Sequence, residues 1–251
     1  MLNTMLSEWT KLRTTSSFWW TSVLAFVFSI GSTILMAALD DPAFPTYGGA
    51  MAIAGFTTFG LMTLIIQSVM MVTTEYRFKV NSTNFALTPN RWQVALSKLL
   101  VYGLYAAVFS FVTILVCFIV GDLIAANPIE WTDNPFVTRS LWAIPLSTFL
   151  AVMFAQGIGW IVRATAGAIA IYLGWQLVLE PSLALIPRIG RDIQTYAPFT
   201  NLTSFMQNFQ NPGVEPGVSE PLSLWASFGL FAVWAVVLYI IGVMLLERRD
   251  T

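Results

Sequence analysis

The chain has 251 residues, 57% of them hydrophobic and 10% charged, with a formal net charge of −1 and a mean hydropathy of +0.72. A soluble domain carries about 25% charged residues, so a soluble fold of this size would wear an apolar surface that only a bilayer tolerates. The near-neutral charge argues against a nucleic-acid partner, the complete lack of histidine removes His-based metal sites and Ser-His or Cys-His nucleophiles, and the lone Cys117 rules out a disulfide framework.

Residues 1–16 read as an amphipathic helix. Leu2, Met5, Leu6, Trp9 and Leu12 recur at helical spacing, with Glu8, Lys11 and Arg13 between them, a pattern suited to the inner membrane interface. A first span is expected over residues 18–39. It is too long for a signal h-region and ends at Asp40-Asp41-Pro42 rather than at a small-residue cleavage site. Further spans are expected over residues 51–73, 94–120, 141–162, 165–186 and 224–246, each near or above the roughly 20 residues that cross the hydrocarbon. The third is long enough to tilt or to project from the bilayer. The fourth and fifth are separated only by Arg163 and Ala164, a tight hairpin.

Orientation follows from lysine and arginine. With the N-terminus inside, Lys11, Arg13, Arg77, Lys79, Arg91, Lys98, Arg163, Arg248 and Arg249 are cytoplasmic, against Arg139, Arg188 and Arg191 outside. Both termini then lie in the cytoplasm. Trp19, Trp20, Trp92, Trp142, Trp160 and Trp225 sit near span ends, as an interfacial belt requires.

Between the second and third spans, residues 74–91 form the most polar cytoplasmic stretch, with room for a short helix before Thr88-Pro89. That pair reads as an N-cap and a first-turn proline opening the next helix. Residues 187–222 form an outer segment with five prolines, at 187, 198, 212, 216 and 221. Its apolar middle (Phe199, Leu202, Phe205, Met206 and Phe209) is expected to lie against the membrane or re-enter it.

No G-x-x-x-x-G-K-[ST], HExxH or G-x-S-x-G motif occurs, so by these signatures ATP binding and hydrolytic chemistry are absent from the chain. Inside the spans the polar groups are amides, Gln67, Gln156 and Gln176, with Glu180 one turn beyond Gln176 on the same face. They either line a path or hydrogen-bond between helices, at about 0.6 kcal/mol each. Gly157, Gly159, Gly167 and Gly174 are expected to permit close helix packing.

Three stretches resemble an ABC type-2 permease, the membrane half of an ATP-binding-cassette exporter, of the short actinobacterial type. They are Ser7-Glu8-Trp9-Thr10-Lys11-Leu12-Arg13; Glu75-Tyr76-Arg77 with Leu87, Pro89, Arg91 and Lys98; and Arg163-Ala164-Thr165-Ala166-Gly167-Ala168, running to Leu179-Glu180-Pro181. Many relatives carry a Gly-Thr pair where this chain has Phe78-Lys79-Val80. The resemblance implies an all-α membrane protein with six transmembrane helices, a single transmembrane domain over 1–251, and an outer re-entrant segment before the last span. It implies two permease chains, identical or related, on two separate ABC ATPase subunits that hold ATP and Mg2+; this chain would hold no cofactor or metal and would not be an enzyme. Glu75, Tyr76, Arg77, Lys79, Thr83, Leu87, Pro89 and Arg91 would couple to the ATPase. Gln67, Trp175, Gln176 and Glu180 would border a substrate path for an amphipathic, lipid-like or antibiotic compound, exported across the plasma (inner) membrane. A six-span scaffold or regulatory subunit without transport activity is the alternative.

Overall fold

A computed structural model describes residues 1–43, 47–77, 91–129, 133–187, 189–207 and 222–249, and the described residues are overwhelmingly helical. Helix α1 (Leu2–Thr14) leads through Thr15 into α2 (Ser16–Ala38). Helix α3 (Gly49–Gly55) continues through a π-turn, Phe56–Gly60, into α4 (Leu61–Arg77). Then come α5 (Arg91–Ile124) and α6 (Pro135–Val162). Helix α7 (Thr165–Gly174) continues through a second π-turn, Trp175–Leu179, into α8 (Glu180–Leu183). Helices α9 (Gly190–Thr195), α10 (Pro198–Gln207) and α11 (Leu224–Arg249) complete the chain.

Among the described residues, five helices are long and apolar enough to cross a membrane: Ser16–Ala38, Gly49–Tyr76, Arg91–Ile124, Pro135–Val162 and Leu224–Arg248. These match five of the six expected spans. The expected fifth span is present as a helical run from Thr165 to Leu183, outside that set, because Gln176, Glu180 and Pro181 dilute its apolar character. At 34 residues α5 is about 51 Å long, well beyond the hydrocarbon thickness. Helix α6 starts earlier than the apolar run alone indicates. Asn134 caps it, its side-chain oxygen accepting from Phe136 N at 3.0 Å, and Pro135 takes the first helical position, where the missing N–H costs nothing.

Contacts divide the chain into two units, Met1–Ser68 with Ser97–Val152 and Val69–Leu96 with Met153–Thr251. In the first unit, α2 buries Phe18, Ser22, Ala25, Ser29, Thr33 and Ala37 while Val23, Leu24, Val27, Phe28, Ile34 and Leu35 are exposed. Phe18 apart, small and hydroxyl residues thus face protein, and large aliphatic ones are left for lipid, as expected where the surrounding solvent is itself apolar. The small inward face lets α3 approach, and Thr33 Oγ1 donates to Ala52 O at 2.8 Å. Beyond the helix ends, Asp40 ties two connections together by accepting from Tyr47 N at 3.0 Å and from Asn127 N at 2.9 Å. Burial, and then the nearby Asp122, push the Tyr47 phenol well above its ordinary range.

In the second unit, α6 and α11 touch through glycine. A Cβ on Gly157 would lie 2.8 Å from the backbone of Leu238 and Tyr239, and one on Gly242 would lie 2.8 Å from Gly157 O. Gly159 and Gly167 make looser contacts, and Gly174 has nothing within 4 Å, so it plays no part in close packing. Trp160 is 1% exposed and packs with Val72, Ala95 and Leu246. It leaves the expected interfacial belt, whereas Trp19, Trp20, Trp92, Trp142 and Trp225 are all exposed. An aromatic cluster forms around Phe154, with ring centroids 5.1 Å from Phe199 and 5.7 Å from Phe231.

Candidate coupling region and membrane path

Of the expected coupling residues, Lys79, Thr83, Leu87 and Pro89 lie outside the described residues, as does the side chain of Arg77. Glu75, Tyr76 and Arg91 stand at the two edges of that segment, on the last turn of α4 and the first residue of α5. Tyr76 packs edge-on against Trp160 at 6.1 Å, and the Arg163 guanidinium lies over the Tyr76 ring at 4.9 Å. Arg163 Nη2 also donates to Leu245 O at 3.3 Å. Arg91 Nη1 donates to Leu246 O at 3.2 Å and to Glu247 O at 3.1 Å. Two guanidinium groups therefore satisfy carbonyls in the last turns of α11, where a helix accumulates negative potential. The ends of α4, α5, α6 and α11 meet around one small core.

The hairpin between α6 and α7 is the two-residue connection expected from the sequence. Arg163 adopts φ 57, the positive-φ non-glycine residue of the described chain, and Arg163 N donates to Gly159 O at 2.9 Å. Thr73 and Thr165 share a hydrogen bond at 2.7 Å, fixing the start of α7 beside the end of α4.

Gln67 is the centre of a polar knot in the first unit. Its side-chain nitrogen donates to Phe18 O at 3.0 Å, to Ser22 Oγ at 3.3 Å and to Thr21 Oγ1. Its oxygen accepts from Tyr102 Oη at 2.7 Å. One amide thereby joins α2, α4 and α5. Glu180 is likewise engaged. It is 2% exposed and accepts from Phe199 N at 2.9 Å, Thr200 N at 2.7 Å and Thr200 Oγ1 at 3.0 Å. A carboxylate from α8 thus caps the N-terminus of α10, where amides are free and the helix dipole favours negative charge. Trp175 and Gln176, half-buried, occupy the second π-turn. Trp175 meets Phe154 at 5.7 Å and Trp234 at 5.6 Å. Gln156 is completely buried.

Sequence reasoning missed both π-turns, a feature common at functional positions in helices, because no residue pattern announces them. It also missed the Lys98–Glu8 pair at 2.6 Å, whose partners are far apart in sequence.

The family model for ABC-2 family transporter proteins matches residues 4–175, from α1 to the first residue of the second π-turn. The chain belongs to the ABC-2 transporter family. This ABC-2 protein is accordingly a multi-pass membrane subunit of an ATP-binding-cassette transporter, a family whose ATPase resides in a partner chain. No curated protein matches the chain. The matched region includes the whole segment 74–91, the Arg163 hairpin and Gln67, and stops short of Glu180, α10 and α11.

Proposed function

We propose that the chain is the permease of an exporter for an amphipathic, lipid-like or antibiotic compound, working as a pair of chains driven by two ATPase subunits that bind ATP and Mg2+. The observation that carries this reading is the coupling region. Tyr76 and Arg91, on either side of residues 78–90 in the sequence, are both anchored on the core that also receives Trp160, Arg163 and the last turn of α11. Force applied to that segment is delivered to four helix ends together. Glu75, Tyr76, Arg77, Lys79, Thr83, Leu87, Pro89 and Arg91 are the residues proposed to receive the ATPase.

The run from Thr165 to Leu183 is proposed as the fifth of six spans, which places both termini in the cytoplasm and the coupling segment beside the ATPase, in keeping with the nine inner and three outer basic residues. Helix α10, buried through Phe199, Leu202, Phe205 and Met206, is proposed as the re-entrant part of the outer segment and acts as a lid. The second and fifth spans are proposed to line the path between the two permease chains, with Gln67, Trp175, Gln176 and Glu180 as the residues to test. A path with few charges suits an amphipath better than an ion. ATP binding shifts the pair toward an outward-open state by making contacts at the coupling segment that the other state lacks.

The deciding experiment is a pull-down of the tagged chain in mild detergent, followed by an ATPase assay. A stoichiometric ATPase whose turnover drops with Glu75→Ala and Arg77→Ala establishes the permease and its coupling site. A chain that purifies alone, without ATPase activity, returns the protein to the scaffold alternative.

A further inference from the structure

Helix α1 buries a carboxylate beside Leu12 while other apolar residues stay outside. Glu8 is 2% exposed, whereas Leu2 and Leu6 are 76% and 62% exposed. What draws the carboxylate inward is Lys98 of α5, itself 1% exposed. Lys98 Nζ donates to Glu8 Oε2 at 2.6 Å, and Lys11 Nζ donates to Oε1 at 2.7 Å. The two oxygens therefore hold ammonium groups from two different helices.

The apolar face of α1 sets only its depth in the interface, since hydrophobic burial is non-directional. Thr15 is the whole connection to α2, and beside it Trp19 Nε1 donates to Arg13 O at 2.9 Å and Leu12 is buried, which fixes the C-terminal end of α1. The buried charge pair adds a hold at the middle of the helix, onto α5, because separating it would strand a charge away from water. Its location adds meaning. Lys98 lies seven residues into α5, about 10 Å along the helix from Arg91, and Arg91 closes the coupling segment.

We propose that the Glu8–Lys98 pair is a pin that makes α1 and the third span one moving body, so that an ATPase pressing on α1 displaces α5 directly. Glu8 and Lys98 are positioning residues, and this role rests on the permease reading above. The test uses the full-length chain in lipid nanodiscs with spin labels on cysteines introduced at Asn3 and Leu123, both exposed. Pulsed electron paramagnetic resonance measures the distance between them in the native chain, in Glu8→Gln, in Lys98→Met, and in the exchanged chain Glu8→Lys with Lys98→Glu. One narrow distance is expected in the native chain, a broad distribution in each single variant, and a narrow one again after exchange. In the complex, the single variants are expected to retain the ATPase but lose nucleotide turnover, and the exchanged chain to regain it. Single variants that keep the narrow distance and full turnover overturn the pin. If the single variants fail to insert, the exchanged chain decides: recovery of the narrow distance sustains the pin, and its absence overturns it. If no ATPase accompanies the chain yet the distances behave as expected, the permease reading falls and the pin stands.

Discussion

Arg163 pays a conformational penalty to hold its place. A left-handed backbone costs a side-chain-bearing residue about 1–2 kcal/mol, and the guanidinium compensates through the Tyr76 ring and the Leu245 carbonyl. Arg163→Ala keeps the strain and loses both contacts, whereas Arg163→Gly loses the contacts but relieves the strain. The alanine variant is therefore expected to be less stable than the glycine variant by about 1 kcal/mol, read from thermal unfolding of the purified protein. Gly157 poses the complementary problem. An added methyl there meets backbone rather than a movable side chain, so Gly157→Ala is expected to cost about 1–3 kcal/mol. Gly174→Ala, in open space, should leave the melting temperature unchanged or slightly raised. At this scale the sequence was only half informative. Gln67 stands out as an amide in an apolar run, but its partners Phe18 and Tyr102 lie 49 and 35 residues away, and a long-range bond leaves no local trace. Gly157 and Gly174 look alike in sequence, and only the neighbour across the helix separates them.

At the scale of elements, the lengths and order of the long helices follow from apolar runs, and the α6–α7 hairpin follows because two such runs abut with two residues between them. Helix α10 was visible only as an apolar stretch among prolines, since what starts it is a carboxylate from another helix. Replacing the Glu180 carboxylate by a neutral amide removes the charge that faces the helix dipole and weakens the acceptors for Phe199 N and Thr200 N. Glu180→Gln is expected to cost about 1 kcal/mol of local stability. The measurement is hydrogen exchange, and faster exchange confined to residues 198–207 is the expected result. Unchanged exchange there would show that α10 is held by its aromatic contacts, such as Phe205 with Phe228 at 4.7 Å, rather than by its cap.

At the scale of the molecule, the question is parity. Five crossings put the two termini on opposite sides of the membrane, and six put them on the same side. If the run from Thr165 to Leu183 crosses, reporters fused at either terminus are expected to be active in the cytoplasm. Opposite reporters would remove that run from the spans. A cysteine introduced at Leu123, 80% exposed at the end of α5, is expected to react with an impermeant reagent from outside the cell, and labelling only after lysis would invert the topology.

The two π-turns also bear on how the length of this chain can change. A π-turn accommodates one residue more than an α-helical turn, so Phe56–Gly60 and Trp175–Leu179 are each the equivalent of a single insertion absorbed without ending the helix. Removing one residue from Phe56–Gly60 would let that turn close as an ordinary α-turn, so most of the change is taken up there and Gln67 keeps its face toward Phe18 and Tyr102. Removing one residue from the regular part of α4 has no such outlet and would rotate everything after it by about 100°. Length differences of one are therefore tolerated at these two turns, whereas the same change elsewhere in α4 exchanges one set of inward-facing side chains for another.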